Sequence, residues 1–322
     1  MRALQVEAFG DPKALRVSDL PERSPGFGEI KLRMAGVGIG YFDGLLVKGE
    51  YQIKPPLPFV PGSAIAGVVE EVGEGVTHLV VGDHVAGFAL LGGLQEKITL
   101  NALSCFPLPK EIALEEAANF FIAYATGLYG LRECGRLQAG ETVLVLGGSG
   151  TTGSTAIEIA KAMGARVIAC ASTEEKRQRC IDAGADLAVD SSAEDWRHKV
   201  KAAAGRGVNV VYDPIGGEFT EQALRLMAPG GRHLIVGFVA GIAKIPSNLM
   251  LLKRCSVVGV NWGGETLENP AVVPPVIKQL IEWTVAGKLK TKPDHIYTLE
   301  QTGEAFASLF ERRSSGKIVI VP

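Results

Sequence analysis

From Leu114 onward the apolar positions follow two rhythms in alternation. Short β-branched runs at Thr142–Leu146, Arg166–Cys170, Leu187–Asp190, Val208–Asp213, His233–Phe238 and Ser256–Val260 read as strands. Stretches with apolar residues at helical spacing fall between them, around Thr152–Met163, Glu174–Ala183, Trp196–Ala204 and Phe219–Met227. Strand and helix in this alternation predict an α/β fold with a doubly wound parallel sheet. An earlier helical pattern covers Glu115–Cys134. The chain before it is rich in Gly, Pro and Val, with alternating runs at Glu29–Met34, Ala64–Val72 and His84–Phe88. Turn signals sit at Gly73-Glu74-Gly75 and Gly82-Asp83, and prolines rule out a helix across Pro55–Gly62. That pattern predicts a small, mostly antiparallel β domain. The tail has helices near Pro274–Ala286 and Glu300–Arg312 and a closing strand Lys317–Val321. It is expected to rejoin the first domain. The expected division is 1–119, 120–262 for an inserted nucleotide domain, and 263–322 for the return.

The strand at Thr142–Leu146 runs into Gly147-Gly148-Ser149-Gly150-Thr151-Thr152-Gly153, and a helix follows at once. Gly148-x-Gly150-x-x-Gly153 between a strand and a helix is the context a dinucleotide fingerprint requires. Gly148 is expected to permit the tight turn and Gly150 the approach of a pyrophosphate. Gly153 is expected to let helix and strand pack closely. Thr151 and Thr152 open the helix whose N-terminal N–H groups would meet the phosphates.

Composition narrows the partners. Lys and Arg total 33 against 35 Asp and Glu, so neither nucleic acid nor a membrane surface is an expected partner. No apolar stretch is long enough to span a bilayer, and Met1–Glu7 reads as a strand and not as a secretion signal. A cytoplasmic protein is expected. The 5 cysteines are odd in number and none are spaced as C-x-x-C. Buried reduced thiols are therefore expected, with no disulfide framework or structural zinc.

Several segments together carry a resemblance. Gly36–Asp43 precedes Pro56–Gly62; Gly67–Gly73 and Val81–Val85 follow. After the glycine fingerprint come Val211-Tyr212-Asp213-Pro214-Ile215-Gly216-Gly217 and Pro229–Arg232 running into Val236-Gly237-Phe238. The chain resembles the medium-chain dehydrogenase/reductase superfamily, in its zinc-free, zeta-crystallin-like NADPH:quinone oxidoreductase branch. The resemblance implies a Rossmann sheet inserted in a GroES-like catalytic domain, and a homodimer, paired through edge strands near Ser256–Val260. Where zinc alcohol dehydrogenases place their catalytic ligands, this chain has Gly40, Ser63-Ala64 and Ile122. Where they carry a four-cysteine lobe, it has only Ala89–Leu94. No metal site is expected. Gly40 also replaces an Asn that many quinone reductases have in the nicotinamide pocket.

The cofactor expectation is NADPH. NAD-preferring sites end the second strand with an acid for the ribose 2′-OH. Here Arg166–Cys170 runs into Ala171-Ser172-Thr173, without a carboxylate. Glu174 and Glu175 follow, and Ser172-x-x-Glu175 fits a capping box, so those acids read as a helix start. Lys176 matches a family residue that binds the 2′-phosphate, and Ser172 lies beside it. Arg177 and Arg179 are either further cations for that phosphate or solvated helix charges. Ser191 replaces a supporting Tyr, and Arg312, next to Arg313, matches another family phosphate contact.

For the chemistry, the resemblance places Thr126 near the nicotinamide; a helix-interior Thr with a satisfied hydroxyl is the other reading. Gly237, Phe238, Val260, Asn261 and Trp262 end two strands at the ligand edge, and their backbones are expected at the nicotinamide. Trp262 equally fits a core or interface wall. Tyr41 and Tyr51 are candidate proton donors to a carbonyl or enolate, or packing residues. Asp43 reads as a structural acid and Asp213 as a turn stabiliser; His84 and His233 receive no role. The expected activity is zinc-independent hydride transfer from NADPH to a quinone or α,β-unsaturated carbonyl. An acryloyl-CoA-type enoyl thioester reductase and an NADPH-binding protein with little catalysis are the alternatives.

Overall fold

A computed structural model describes residues 1–311, 313 and 315–322. The chain forms two compact units: Met1–Ile122 with Ile277–Val285 and Thr291–Pro322, and Ala123–Val276 with Ala286–Lys290.

The second unit is built on a 6-stranded parallel sheet. Its strands are β1 (Thr142–Val145), β2 (Arg166–Ala171), β3 (Leu187–Asp190), β4 (Val208–Asp213), β5 (Met227–Ile235) and β6 (Ser256–Gly259). The order across the sheet is β3-β2-β1-β4-β5-β6. The chain therefore moves outward from β1 in one direction and from β4 in the other. In such sheets the usual ligand position lies at that reversal, beyond the carboxyl ends of strands that here are β1 and β4. The helices are α1 (Thr151–Ala162), α2 (Glu174–Asp182), α3 (Trp196–Ala204), α4 (Gly217–Leu224), α5 (Ser247–Lys253) and α6 (Trp262–Glu268). Val143, Leu144, Val145, Val210, Val211 and Tyr212 are fully buried. The two central strands thus read as continuous apolar runs because helices cover both faces.

Two elements differ from the sequence pattern. A helix was expected over Phe219–Met227, but α4 stops at Leu224 and Met227 already pairs with Val208. The register shifts beyond that pair, with Gly230 at φ 79°, so Pro229-Gly230-Gly231 lies inside the strand as a bulge. The expected helix over Glu115–Cys134 is broken. Short α segments at Leu114–Ala117 and Ala125–Leu128 alternate with π-helical turns at Phe120–Tyr124 and Tyr129–Cys134. Such turns are frequent at functional sites.

The first unit holds a mixed, mostly antiparallel sheet in which Glu29–Ile39 pairs with Ala64–Val72, Lys97–Asn101 and the tail strand Ile318–Val321. The tail thus completes the N-terminal sheet, and the parallel sheet is an insertion within it. Leu32, Val37, Ile65, Val85, Phe306 and Ile320 share its core.

Candidate functional site

The turn after β1 is a backbone device. Gly147 has φ 60°, so the left-handed residue is Gly147, one position before the Gly148 expected from the fingerprint. Gly148 is required for a different reason. A Cβ there would lie 2.9 Å from Ala169 Cβ and 2.9 Å from Cys180 Sγ. At Gly153 a Cβ would lie 2.3 Å from the Gly147 carbonyl oxygen, so the helix can approach the turn only without a side chain. At Gly150 the nearest atom would be the Gly147 oxygen at 3.6 Å, which leaves that side of the turn open. Gly150 offers no side chain to cap α1, while its carbonyl accepts from Ser154 N at 2.8 Å. An open glycine edge at a helix N-terminus suits a pyrophosphate. Beneath it, burial pushes the Cys180 thiol up to about 12 and Cys170 up as well. Both are inert packing thiols.

The tip of β2 carries no acid. Thr173, not Ser172, caps α2: its Oγ1 accepts from Lys176 N at 3.3 Å. The capping box read from Ser172 is therefore displaced by one residue, and the Ser172 hydroxyl is not used to cap the helix. Arg177 is tied to Glu174 at 2.5 Å and Asp190 at 3.1 Å, and Arg179 lies 3.9 Å from Glu175. Lys176 is half-buried beside them. Arg312 lies outside the described residues.

Beyond β5, Gly237 packs so closely that a Cβ would stand 2.9 Å from the Pro214 oxygen, and Phe238 is 49% exposed. Val260 N donates to Ile235 O at 2.9 Å. Asn261 spends its side chain capping α6, with Oδ1 accepting from Gly264 N at 3.0 Å. Trp262 is buried with its ring 5.5 Å from that of Tyr129, so its side chain is a core wall. Thr126, half-buried, belongs to the segment whose Gly127 meets Ile159 of α1 and whose Gly130 meets Val260. The second unit thus brings Thr126, the glycine helix and Val260 into one neighbourhood.

Asp213 and His233 form a buried pair that the sequence reading left without a ligand role. The Asp213 carboxylate accepts from Ile215 N, Gly216 N, Thr220 Oγ1 and His233 Nε2 at 2.9, 2.8, 2.6 and 2.9 Å. Burial pushes this carboxyl up, but its donors, His233 foremost, outweigh burial and hold it below the usual range.

In the first unit, Tyr41 opens the helix Tyr41–Lys48 and its ring packs 4.9 Å from that of Phe310. The Tyr51 ring stands edge-on to Phe42 at 4.7 Å, and burial raises its phenol. Asp43 is buried; its Oδ2 accepts from Gly40 N at 2.9 Å and its Oδ1 from Ser63 Oγ at 3.0 Å. Burial pushes its carboxyl up to about 6 against those two donors. Gly40, Ala64 and Ile122 bring no donor side chain, and the Ser63 hydroxyl is engaged with Asp43 and the Leu90 oxygen. Among the described residues no group of 3 or more His, Cys, Asp or Glu is placed to hold a metal ion.

Comparison with known proteins agrees with this architecture. Residues 26–110 match the alcohol dehydrogenase GroES-like domain and residues 151–282 the zinc-binding dehydrogenase family. The chain is 35% identical to a quinone oxidoreductase-like protein 2 homolog of Nematostella vectensis, over 99% of this chain and 88% of the relative. The crystal structure of Escherichia coli quinone oxidoreductase complexed with NADPH superposes with a TM-score of 0.92 at 26% identity, covering 100% of both chains. The CurK enoyl reductase superposes at 0.89 with 26% identity, covering 99% of this chain and 98% of that one. The chain belongs to the medium-chain dehydrogenase/reductase superfamily, in its zinc-free quinone oxidoreductase branch.

Proposed function

We propose that this oxidoreductase transfers a hydride from NADPH to a quinone or an α,β-unsaturated carbonyl, without zinc. The carrying observation is the open Gly150 edge of the β1–α1 turn beside a second strand that ends without an acid. The turn and the N-terminus of α1 hold the pyrophosphate, and Ser172 and Lys176 hold the 2′-phosphate. Backbone at Gly237, Phe238, Val260 and Asn261 lines the nicotinamide end, with Thr126 as a neighbouring hydroxyl. When bound, NADPH supplies the hydride; the chain supplies orientation, exclusion of water and donors for the charge that develops. Tyr41, Tyr51 or water protonates the reduced acceptor. The nucleotide complex of the Escherichia coli relative supports the cofactor, and the enoyl reductase likeness keeps enoyl substrates in the acceptor class.

The chain is read as a cytoplasmic homodimer. Among the described residues no helix is long and apolar enough to cross a membrane. Strand β6 is a sheet edge, and Leu251, Leu252 and Leu267 nearby in sequence are more than 70% exposed, at 79, 74 and 78%. Pairing of two β6 edges would cover it. Light scattering tests this: a monomer at assay concentration would refute it.

The activity test follows NADPH oxidation with benzoquinone, phenanthrenequinone and a short enal, with and without chelator. Chelator-insensitive turnover, with NADH much poorer, is expected. Oxidation of simple alcohols only with added zinc would overturn the proposal.

A further inference from the structure

Asp213 ends β4 and His233 lies on β5, and both are fully buried. Each carboxylate oxygen accepts two hydrogen bonds, one oxygen from backbone N–H groups and the other from side chains. An amide in this place could not accept all of them. The arrangement also dictates a tautomer. A carboxylate only accepts, so the His233 proton facing it sits on Nε2. Nδ1 is buried and has no hydrogen-bond partner among the described residues.

The carboxylate locks the turn 214–217, and that turn holds two others. Toward β1, Ile215 packs on the glycine turn: a Cβ on Gly147 would lie 2.5 Å from Ile215 Cδ1. Toward β5, the Asp213 carbonyl accepts from Val236 N at 2.9 Å and Gly237 N at 3.3 Å. Ile215 O accepts from Ala240 N at 2.7 Å, and Gly217 N donates to Gly241 O at 2.8 Å. Segment 236–241, which carries Gly237 and Phe238, is thus fastened to a turn whose shape Asp213 sets. The tip of β2, with Ser172 and Lys176, lies on the other side of β1 and shares none of these bonds.

We propose that Asp213, oriented by His233 and Thr220, is a positioning residue for the nicotinamide half of the cofactor crevice. The proposal rests on the NADPH reading of this site. It predicts that disturbing the network weakens binding of the whole dinucleotide while sparing the adenosine half.

The test titrates NADPH and adenosine 2′,5′-bisphosphate, which fills only the adenosine half, into the wild type, Asp213→Asn, His233→Leu and His233→Gln. The wild type is expected to bind both. Asp213→Asn leaves buried donors unpaired and His233→Leu leaves a buried carboxylate oxygen short of one donor; each should weaken NADPH about tenfold or more and leave the bisphosphate within about twofold. His233→Gln keeps an N–H for Asp213 and should restore most of the NADPH affinity. Nitrogen NMR of labelled imidazole should show the Nε2–H tautomer in the wild type. If Asp213→Asn does not fold, Thr220→Val removes one donor at nearly constant volume; a loss of about threefold for NADPH alone is expected. Equal loss of both ligands, or unchanged NADPH affinity, overturns the positioning role. Failure of the wild type to bind either ligand overturns the cofactor reading itself, and the positioning role with it.

Discussion

The β1–α1 turn and the helix start around Asp43 solve the same problem, holding backbone in a defined shape, by opposite means. The glycine turn does so by omission. Gly148 and Gly153 sit where a Cβ would meet atoms at 2.9 and 2.3 Å, and the surface offered to a ligand is main chain. The helix start at Asp43 does so with a side chain, a buried carboxylate that accepts from Gly40 N and Ser63 Oγ. A site made of backbone tolerates almost no substitution but carries no titrating group. One made with a buried acid tolerates isosteric replacement and carries a pH dependence.

The sharpest test of that contrast lies within the glycine turn itself. Gly153→Ala places a methyl group 2.3 Å from the Gly147 oxygen and is expected to cost about 3 kcal/mol or more of stability, by forcing helix and turn apart. NADPH binding should be lost with it. At Gly150, where φ is −76° and the nearest atom is 3.6 Å away, Ala is sterically allowed. Gly150→Ala should leave stability within about 0.5 kcal/mol yet weaken NADPH about tenfold, since the methyl group occupies the phosphate approach. Thermal denaturation and NADPH titration of the two variants separate the roles. Equal stability for both would erase the distinction between packing and ligand glycines.

Asp43 gives the next largest effect, and its sign is fixed by linkage. Its folded pKa is raised from 3.8 to about 6. Its contribution to stability is therefore fully present below about pH 4 and lost as pH rises through about 6, where a charge must be kept in a buried site. The shift corresponds to about 3 kcal/mol at most. Asp43→Asn can accept from Gly40 N with its oxygen and donate to Ser63 Oγ with its amide. It should be more stable than wild type at pH 8, by about 1–3 kcal/mol, with the gap closing toward pH 5. Urea unfolding across that range checks it. A gap that widened on acidification would show that the carboxylate is a net stabiliser.

What the sequence revealed follows the same division. The alternation of β-branched runs and helices forecast the parallel sheet, because a strand buried on both faces has little freedom in composition. The fingerprint located the turn, since only glycine meets the steric demands at Gly148 and Gly153. It did not say which glycine does what: the left-handed φ belongs to Gly147, and the demand at Gly148 comes from Cys180, a residue distant in sequence. The cap of α2 slipped from Ser172 to Thr173 because two adjacent hydroxyl residues offer the same local chemistry. His233 was unreadable. Its partner lies 20 residues earlier and faces it only once β4 and β5 are paired. The π-helical turns around Ala125–Leu128 were hidden as well, because their apolar residues also fit an ordinary helix.

The two tyrosines test whether the first unit contributes chemistry or only packing. Tyr41→Phe and Tyr51→Phe each keep the ring against its Phe partner and delete only the hydroxyl. Stability should change by less than about 0.5 kcal/mol in both. The phenol that serves the acceptor should lower kcat about tenfold or more on removal, with KM for NADPH unchanged. Unaltered kcat in both variants would assign protonation to water.

The smallest effect separates the cations at the tip of β2. Arg177 already has two carboxylate partners, Glu174 and Asp190, on half-exposed surface, whereas Lys176 is the residue that the NADPH reading assigns to the 2′-phosphate. Lys176→Ala should raise KM for NADPH about fivefold and leave KM for NADH unchanged, because only one of the two cofactors carries the extra phosphate. Arg177→Ala should move both by less than about twofold, since the cation it removes is already paired with two carboxylates. Steady-state kinetics with both cofactors distinguishes the two. If Arg177→Ala produced the larger NADPH-specific change, the ion pairs at Arg177 would have to open on binding. Selectivity would then come from a side chain exchanging its partners, and the tip of β2 would resemble the helix start at Asp43 more than the glycine turn beside it.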